Sequence, residues 1–204
     1  MTLQVDSRFP RLAAYLSALP QGLASHPECQ AKGAMVRQMV SDPPEGLPTD
    51  ALPAEIRQVI LSPPLNSQWV PDTWFFGALL VFADQRKLSA RGYVDWMVDA
   101  NRKLFKSPVY RLLSLATPSI LLSLGAATWG STHRGTKLEV HGQTSGKSGS
   151  AVLSFPEGHY SHPDVLGAIQ AGVQVAIELS NAKNPRLTVA RTTPTTAEFT
   201  ATWE

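Results

Sequence analysis

The stretch His133-Arg134-Gly135-Thr136-Lys137-Leu138-Glu139-Val140-His141 is where the chain changes its grammar. Leu138 and Val140 alternate with Lys137, Glu139 and His141, the period of two that marks a strand with one buried face. Beyond the polar loop Gln143 to Ser150, Ala151, Leu153 and Phe155 again share one side. Ser161-His162-Pro163-Asp164 then opens a helix with Val165, Ile169, Gly172, Val173 and Ala176 on one face. Leu187 with Val189, and Phe199 with Ala201 and Trp203, read as two closing strands around a turn at Thr192 to Thr196. Before His133 the apolar spacing is helical throughout. The pattern predicts an α+β fold, a helical N-terminal part followed by a four-stranded antiparallel β-β-α-β-β C-terminal part. One domain, 1–204, is expected, with a helical layer over 1–132 and the β-β-α-β-β layer over 133–204. Strands are expected near 136–142, 149–155, 185–191 and 197–203, and no central strand before Thr132.

Upstream, Leu12, Leu16 and Leu19 space a first helix that Pro20 and Gly22 end. Ser25-His26-Pro27-Glu28 has the order of a capping box for a helix running toward Val40. Leu52, Ile56 and Val59 mark a short helix before Pro63-Pro64. Pro71 and Asp72 open another, with Trp74, Ala78, Val81 and Phe82 on its apolar face. From Ser89 the next helix buries Tyr93, Met97, Ala100 and Leu104 and exposes Arg91, Asp95, Asp99 and Lys103 as an ion-pair row. Ser107-Pro108 and Thr117-Pro118 begin two more. Leu112 to Gly130 carries no charge, but Pro118 and several hydroxyls interrupt it, so it reads as two buried core helices and not as a membrane span. Arg134 is placed to bond the free carbonyls at the end of the last helix, with Gly135 at positive φ.

With 204 residues, 43% hydrophobic and 17% charged, the chain can bury one sizeable core. A net charge of +2 without a Lys/Arg run argues against nucleic acid. A single cysteine, Cys29, rules out an intrachain disulfide framework and fits a reducing cytoplasm. The first residues lack the apolar run of a signal peptide.

No motif specifies a reaction. Gly142 to Ser148 is one residue short of a phosphate loop and precedes a strand where that motif needs a helix. His159 and His162, with His133 or His141, lack the companion spacing of a metal site, so neither metal nor haem is expected and no cofactor is assigned. Cys29 occupies an apolar helical position, where a thiol is inert packing. The aromatic supply between Trp69 and Trp129 leaves one candidate site, an apolar pocket walled by Trp74, Phe82, Trp96, Met97 and Trp129.

Four segments resemble an uncharacterised family of proteins of similar length expanded in myxobacteria. They are Leu19-Pro20-Gln21-Gly22-Leu23 running into Ser25-His26-Pro27-Glu28-Cys29-Gln30-Ala31-Lys32; Trp69-Val70-Pro71-Asp72; Ala100-Asn101-Arg102-Lys103 with Ser107-Pro108-Val109-Tyr110; and Trp129 to Thr136. That family implies no activity. More distantly, helices followed by β-β-α-β-β resemble the haem nitric-oxide-binding and 4-vinyl-reductase domain group, which implies a small-molecule sensor or carrier. The Tyr-x-Ser-x-Arg motif of the haem branch is absent from this chain, which puts haem in doubt.

These readings lead to a non-enzymatic, cytoplasmic regulatory or small-molecule-binding protein with an apolar pocket. An interaction module, or an enzyme or accessory protein acting on an apolar small molecule, stays open. The expected partners are an apolar small molecule or another protein, with no nucleic acid and no transmembrane span. A homodimer is left open.

Overall fold

The helical spacing upstream of His133 and the alternation downstream of it fold as two packed parts. The computed structural model describes residues 5–105, 118–144, 147–160, 162–180 and 182–204. The first part contains α1 (Pro10–Ala18), α2 (Gly33–Met39), α3 (Ala54–Leu61), α4 (Asp72–Gln85), α5 (Ala90–Phe105) and α6 (Pro118–Thr132). Helix α4 carries apolar residues all round, as an element enclosed on every side must: nearly all of Asp72 to Asp84 is buried. Ser89 caps α5, its Oγ accepting from the Gly92 N–H at 3.0 Å. On the exposed face of α5 the predicted row gives the Arg91–Asp95 pair, while Asp99 pairs with Arg102 and not with Lys103, and Arg102 also reaches Glu178 at 2.9 Å. The helix predicted to open at Ser107-Pro108 lies outside the described residues.

Strands β4 (Lys137–Thr144), β5 (Ser148–Ser154), β6 (Arg186–Thr193) and β7 (Thr196–Thr202) form one antiparallel sheet in the order β4-β5-β7-β6. Its buried face presents Ala151, Leu153, Ala197, Phe199 and Ala201, the residues that period-two alternation selects. Helix α7 (Pro163–Glu178) packs between α5 and this sheet. It begins where Ser161-His162-Pro163-Asp164 places it, with His162 Nδ1 accepting from the Asp164 N–H at 3.2 Å. A continuous buried core runs from Phe9 in the first part to Phe199 in the second.

Four expectations need correcting. The helical part is not free of strands: β1 (Gln30–Lys32), β2 (Trp69–Pro71) and β3 (His133–Arg134) make a separate three-stranded antiparallel sheet in the order β2-β1-β3. None of the three joins the four-stranded sheet. Strands of two or three residues are too short to show a period, so the sequence pattern passes over them. Ser25-His26-Pro27-Glu28 is not a capping box; Ser25 Oγ accepts from the Gln21 N–H at 2.8 Å, and the next residues make a tight turn, closed by the Cys29 N–H donating to the His26 carbonyl at 2.8 Å, that leads into β1. Arg134 does not bond the end of α6 but lies over the Trp69 ring, its Cζ 4.0 Å from the centroid. Finally, α6 is not wholly buried, since Ile120 and Leu124 remain 50% and 42% exposed. No helix among the described residues is long and apolar enough to cross a membrane.

One clamp ties the parts together. The Arg11 guanidinium bonds Asp84 at 3.1 Å, Asp164 at 2.8 Å and the Leu88 carbonyl, so α1, the end of α4, the α4–α5 turn and the start of α7 share one cation. Gly135, at φ +72°, lets the chain leave β3 against the Glu28 backbone, where a Cβ would sit 2.6 Å from the Glu28 carbonyl oxygen. Gly135→Val should therefore destabilise the protein by about 2 kcal/mol or more, combining a left-handed backbone penalty with a backbone clash. Chemical denaturation checks this, and an unchanged midpoint would contradict it.

Candidate functional site

Alternation in the small sheet sorts chemistry onto two faces. Inward point Ala31, Val70 and His133, all buried, and the next inward positions along β1 and β2 are Cys29 and Asp72. The Asp72 N–H donates to the Cys29 carbonyl at 3.0 Å, which continues the ladder by one bond before α4 begins. Outward point Gln30, Lys32 and Trp69, each partly buried, and Arg134, which is exposed.

The inward face builds a buried polar cluster. Asp72 opens α4, where the unbonded N–H groups and dipole of the first turn favour a carboxylate. Its Oδ2 accepts from the Tyr160 hydroxyl at 3.2 Å and meets His159 Nε2 at 3.2 Å. An ionised carboxylate can only accept, so this contact places the imidazole proton on Nε2. Both side chains of the Asp72–His159 pair are fully buried. Around them lie His26, edge-on to His159 with ring centroids 5.2 Å apart, and His133, stacked on Trp129 at 3.9 Å. Asp72 Oδ1, His159 Nδ1, His133 Nδ1, His26 Nε2 and the Tyr15 hydroxyl have no hydrogen-bond partner among the described residues.

Burial sets the protonation of this cluster. It pushes His133 and His26 below the ordinary histidine value, with His159 adding to the effect at both, so the two rings are neutral near pH 7. Burial, then the Asp72 charge, pushes Tyr160 well up. Cys29 is pushed up to about 12 by burial and by the Asp72 and Glu28 charges. Its thiol is protonated and is no nucleophile. The cluster therefore holds the fold together around one carboxylate and offers no activated attacking group. Among the described residues no three His, Cys, Asp or Glu side chains are arranged to hold a metal ion.

Of the outward residues, Trp69 lines a cleft of about 230 Å³ between α3 and β2, whose other walls include Val59, Gln68, Pro71 and Trp74. A second cleft of about 420 Å³ lies at Glu157, Gly158 and Arg191 to Pro194.

The five residues expected to wall an apolar pocket fall in three places. Phe82 and Met97 are fully buried, and half-buried Trp96 packs on Phe82 and Tyr93 with ring centroids 6.4 and 5.8 Å away. Trp74 stands in the α3–β2 cleft with Trp69. Trp129 belongs to the His133 stack and donates from Nε1 to Thr136 Oγ1 at 3.0 Å. Sequence reasoning took Asp72 only as the opening of a helix, gave Tyr160 no role, and weighed His159 only as a metal ligand with His162 and His133 or His141. The signal it could have used is the match of Cys29-x-Ala31 to Val70-x-Asp72, two short alternations that face the same way once paired.

No protein-family model matches the chain, and no curated protein matches it. Solved structures do. An Fe(II) unliganded H-NOX protein from K. algicida superimposes with TM-score 0.53 at 11% identity, over 85% of this chain and 96% of that one. A point variant of it gives TM-score 0.55 at 12% identity over the same shares, 85% and 96%. A Cs H-NOX variant with an unnatural amino acid gives 0.50 at 7%, again over 85% and 96%. What is shared at such identities is the fold.

A haem, which that fold group implies, needs a flat slot with an axial donor facing it. The candidate donors His133, His159, Tyr160 and His162 among the described residues do not fit one. His159 and the Tyr160 hydroxyl are turned to Asp72, His162 caps α7, and Trp129 covers the His133 ring. The space between helices and sheet is filled by Phe76, Tyr160 and Phe155, in mutual ring contact at 5.6 and 4.9 Å. Neither cleft described above is lined by a histidine.

Two outcomes test the cluster. Asp72→Ala strands the His159 N–H and the Tyr160 hydroxyl in the interior, and should cost about 3 kcal/mol in equilibrium unfolding. His26 and His133 titrate lower when folded than their ordinary 6.5, so below pH 6.5 the unfolded chain binds more protons. The stability they contribute is complete above that pH and is lost as the pH falls toward their folded values. His133→Phe, which keeps a ring on Trp129, should flatten that acid-side decline.

Proposed function

We propose that the chain is a non-enzymatic regulatory domain of the small-molecule-binding kind, with the α3–β2 cleft as its ligand site. The observation that carries this reading is the double use of one short strand. Trp69 and Pro71 of β2 contribute to the cleft, and the next residue, Asp72, turns inward to His159 and Tyr160 beside the four-stranded sheet. A ligand that shifts β2 also shifts the carboxylate on which two side chains of the second part depend. Coupling then needs no long path, only two alternative settings of one strand. The fold it shares with H-NOX proteins supports a sensing role, carried here without haem.

The reading replaces a central apolar pocket with a peripheral one, keeping Trp74 and adding Trp69 and Val59. Trp96, Phe82 and Met97 become packing. Trp129 becomes part of the cluster, through its stack on His133. An interaction module is the second reading, and one observation favours it: Leu61 and Leu65, on either side of the cleft residues Ser62 and Pro64, are 60% and 62% exposed.

Native mass spectrometry of the protein as purified, followed by tryptophan-fluorescence titration with the mass it reveals or with a hydrophobic dye, tests the reading. Saturable quenching that weakens about tenfold or more in Trp74→Ala is expected, the loss of one large aromatic contact. Quenching that is unsaturable, or the same in Trp74→Ala, would overturn it.

A further inference from the structure

Resting on the cleft as the ligand site, we propose that its ligand class is a small aromatic anion, a carboxylate or phosphate on a one- or two-ring body. The argument begins at Trp69, the indole on the cleft wall. Lys32 Nζ lies 4.5 Å from its ring centroid and Arg134 Cζ lies 4.0 Å from it. Both cations leave the outward face of the small sheet through the same alternation that sends Ala31 and His133 inward. Neither forms an ion pair among the described residues; Lys32 donates to the Ser67 carbonyl at 3.2 Å. Arg37 adds a third cation at the cleft's edge, bonded to the Pro63 and Pro64 carbonyls at 2.9 and 3.0 Å. The cleft itself is lined by no acidic side chain.

An indole in contact with two cations holds them in place and strips part of their water, so an incoming anion meets charges already ordered. The Arg134 guanidinium supplies a planar fork suited to carboxylate and phosphate oxygens. Trp74, half-buried in the same cleft, supplies a surface for the ring body. A purely apolar molecule would leave the cations unused, and a cation would be repelled. The apolar ligand expected from aromatic content thus becomes an amphipathic one, with its ring on Trp74 and its charge toward Lys32 and Arg134.

The test is a fluorescence titration of the full chain at low salt with three probes of one shape: 1-naphthoate, 1-naphthyl phosphate and neutral 1-naphthamide. The anions should bind about tenfold more tightly than the amide, and added salt should narrow that gap. The Lys32→Gln/Arg134→Gln double variant should lose the preference while binding the amide unchanged, and Arg134→Lys should keep most of it. Near-UV circular dichroism verifies that each variant is folded. The stronger of the two anions identifies carboxylate or phosphate as the recognised group. Equal binding of amide and anions, or a preference that survives in the double variant, would overturn the ligand class and leave the cleft standing. No binding of any probe to wild type would overturn the cleft along with it.

Discussion

Asp72 is the constraint around which the rest of the structure is arranged. A carboxylate with no exposed surface is expensive unless it is paired, and this one, at the start of α4, is met at one oxygen by His159 and Tyr160 while its other oxygen has no hydrogen-bond partner among the described residues. The two partners are neighbours in the chain, 87 and 88 residues beyond the carboxylate they share. The first turn of α4 must start at Asp72, β1 must lie beside β2, and the segment before α7 must deliver two consecutive side chains to one oxygen. Satisfying one charge thereby specifies how the helical part meets the sheet part.

The small sheet exists to make that meeting possible. Three strands of two or three residues contribute little burial of their own. Their alternation separates an interior of Cys29, Asp72 and His133 from an exterior of Lys32, Trp69 and Arg134. The stretches that resemble the myxobacterial family, Ser25 to Lys32, Trp69 to Asp72 and Trp129 to Thr136, are the ones brought together here. Gly135 permits the closest approach among them, and the Arg11 clamp holds the opposite end of α4 against α7. The architecture is that of H-NOX proteins, yet the interior is occupied by rings and by histidines engaged with their neighbours. Among the described residues, the rings of Phe76, Tyr160 and Phe155 pack against one another between helices and sheet.

How much of this was legible depends on length of pattern. The four strands of the main sheet and the helices α3, α5 and α7 each carry an apolar pattern from which their positions follow within about two residues, while α4, apolar all round, is marked by Pro71-Asp72 at its start. Positive φ at Gly135 followed as well, since a helix end and a strand start leave glycine the natural residue between them. Ser25 to Glu28 misled because a capping box is a local motif, and the residues after it are taken instead by a turn and by pairing of β1 with the distant strands β2 and β3. The tryptophans misled because supply of rings says nothing of which ring faces which.

By itself the sequence determined the α+β class, the order of the main elements and the face each element buries, because these depend on apolar periodicity that no distant residue can change. Tertiary structure alone decided the site. Asp72 and His159 are far apart in the chain, and their 3.2 Å contact exists only after the two parts dock. Lys32, Trp69 and Arg134 form one stack only because strands too short to be read from sequence pair in a particular register. Burial of a charge and stacking of a cation are pair properties, and a linear pattern carries no record of pairs that distant.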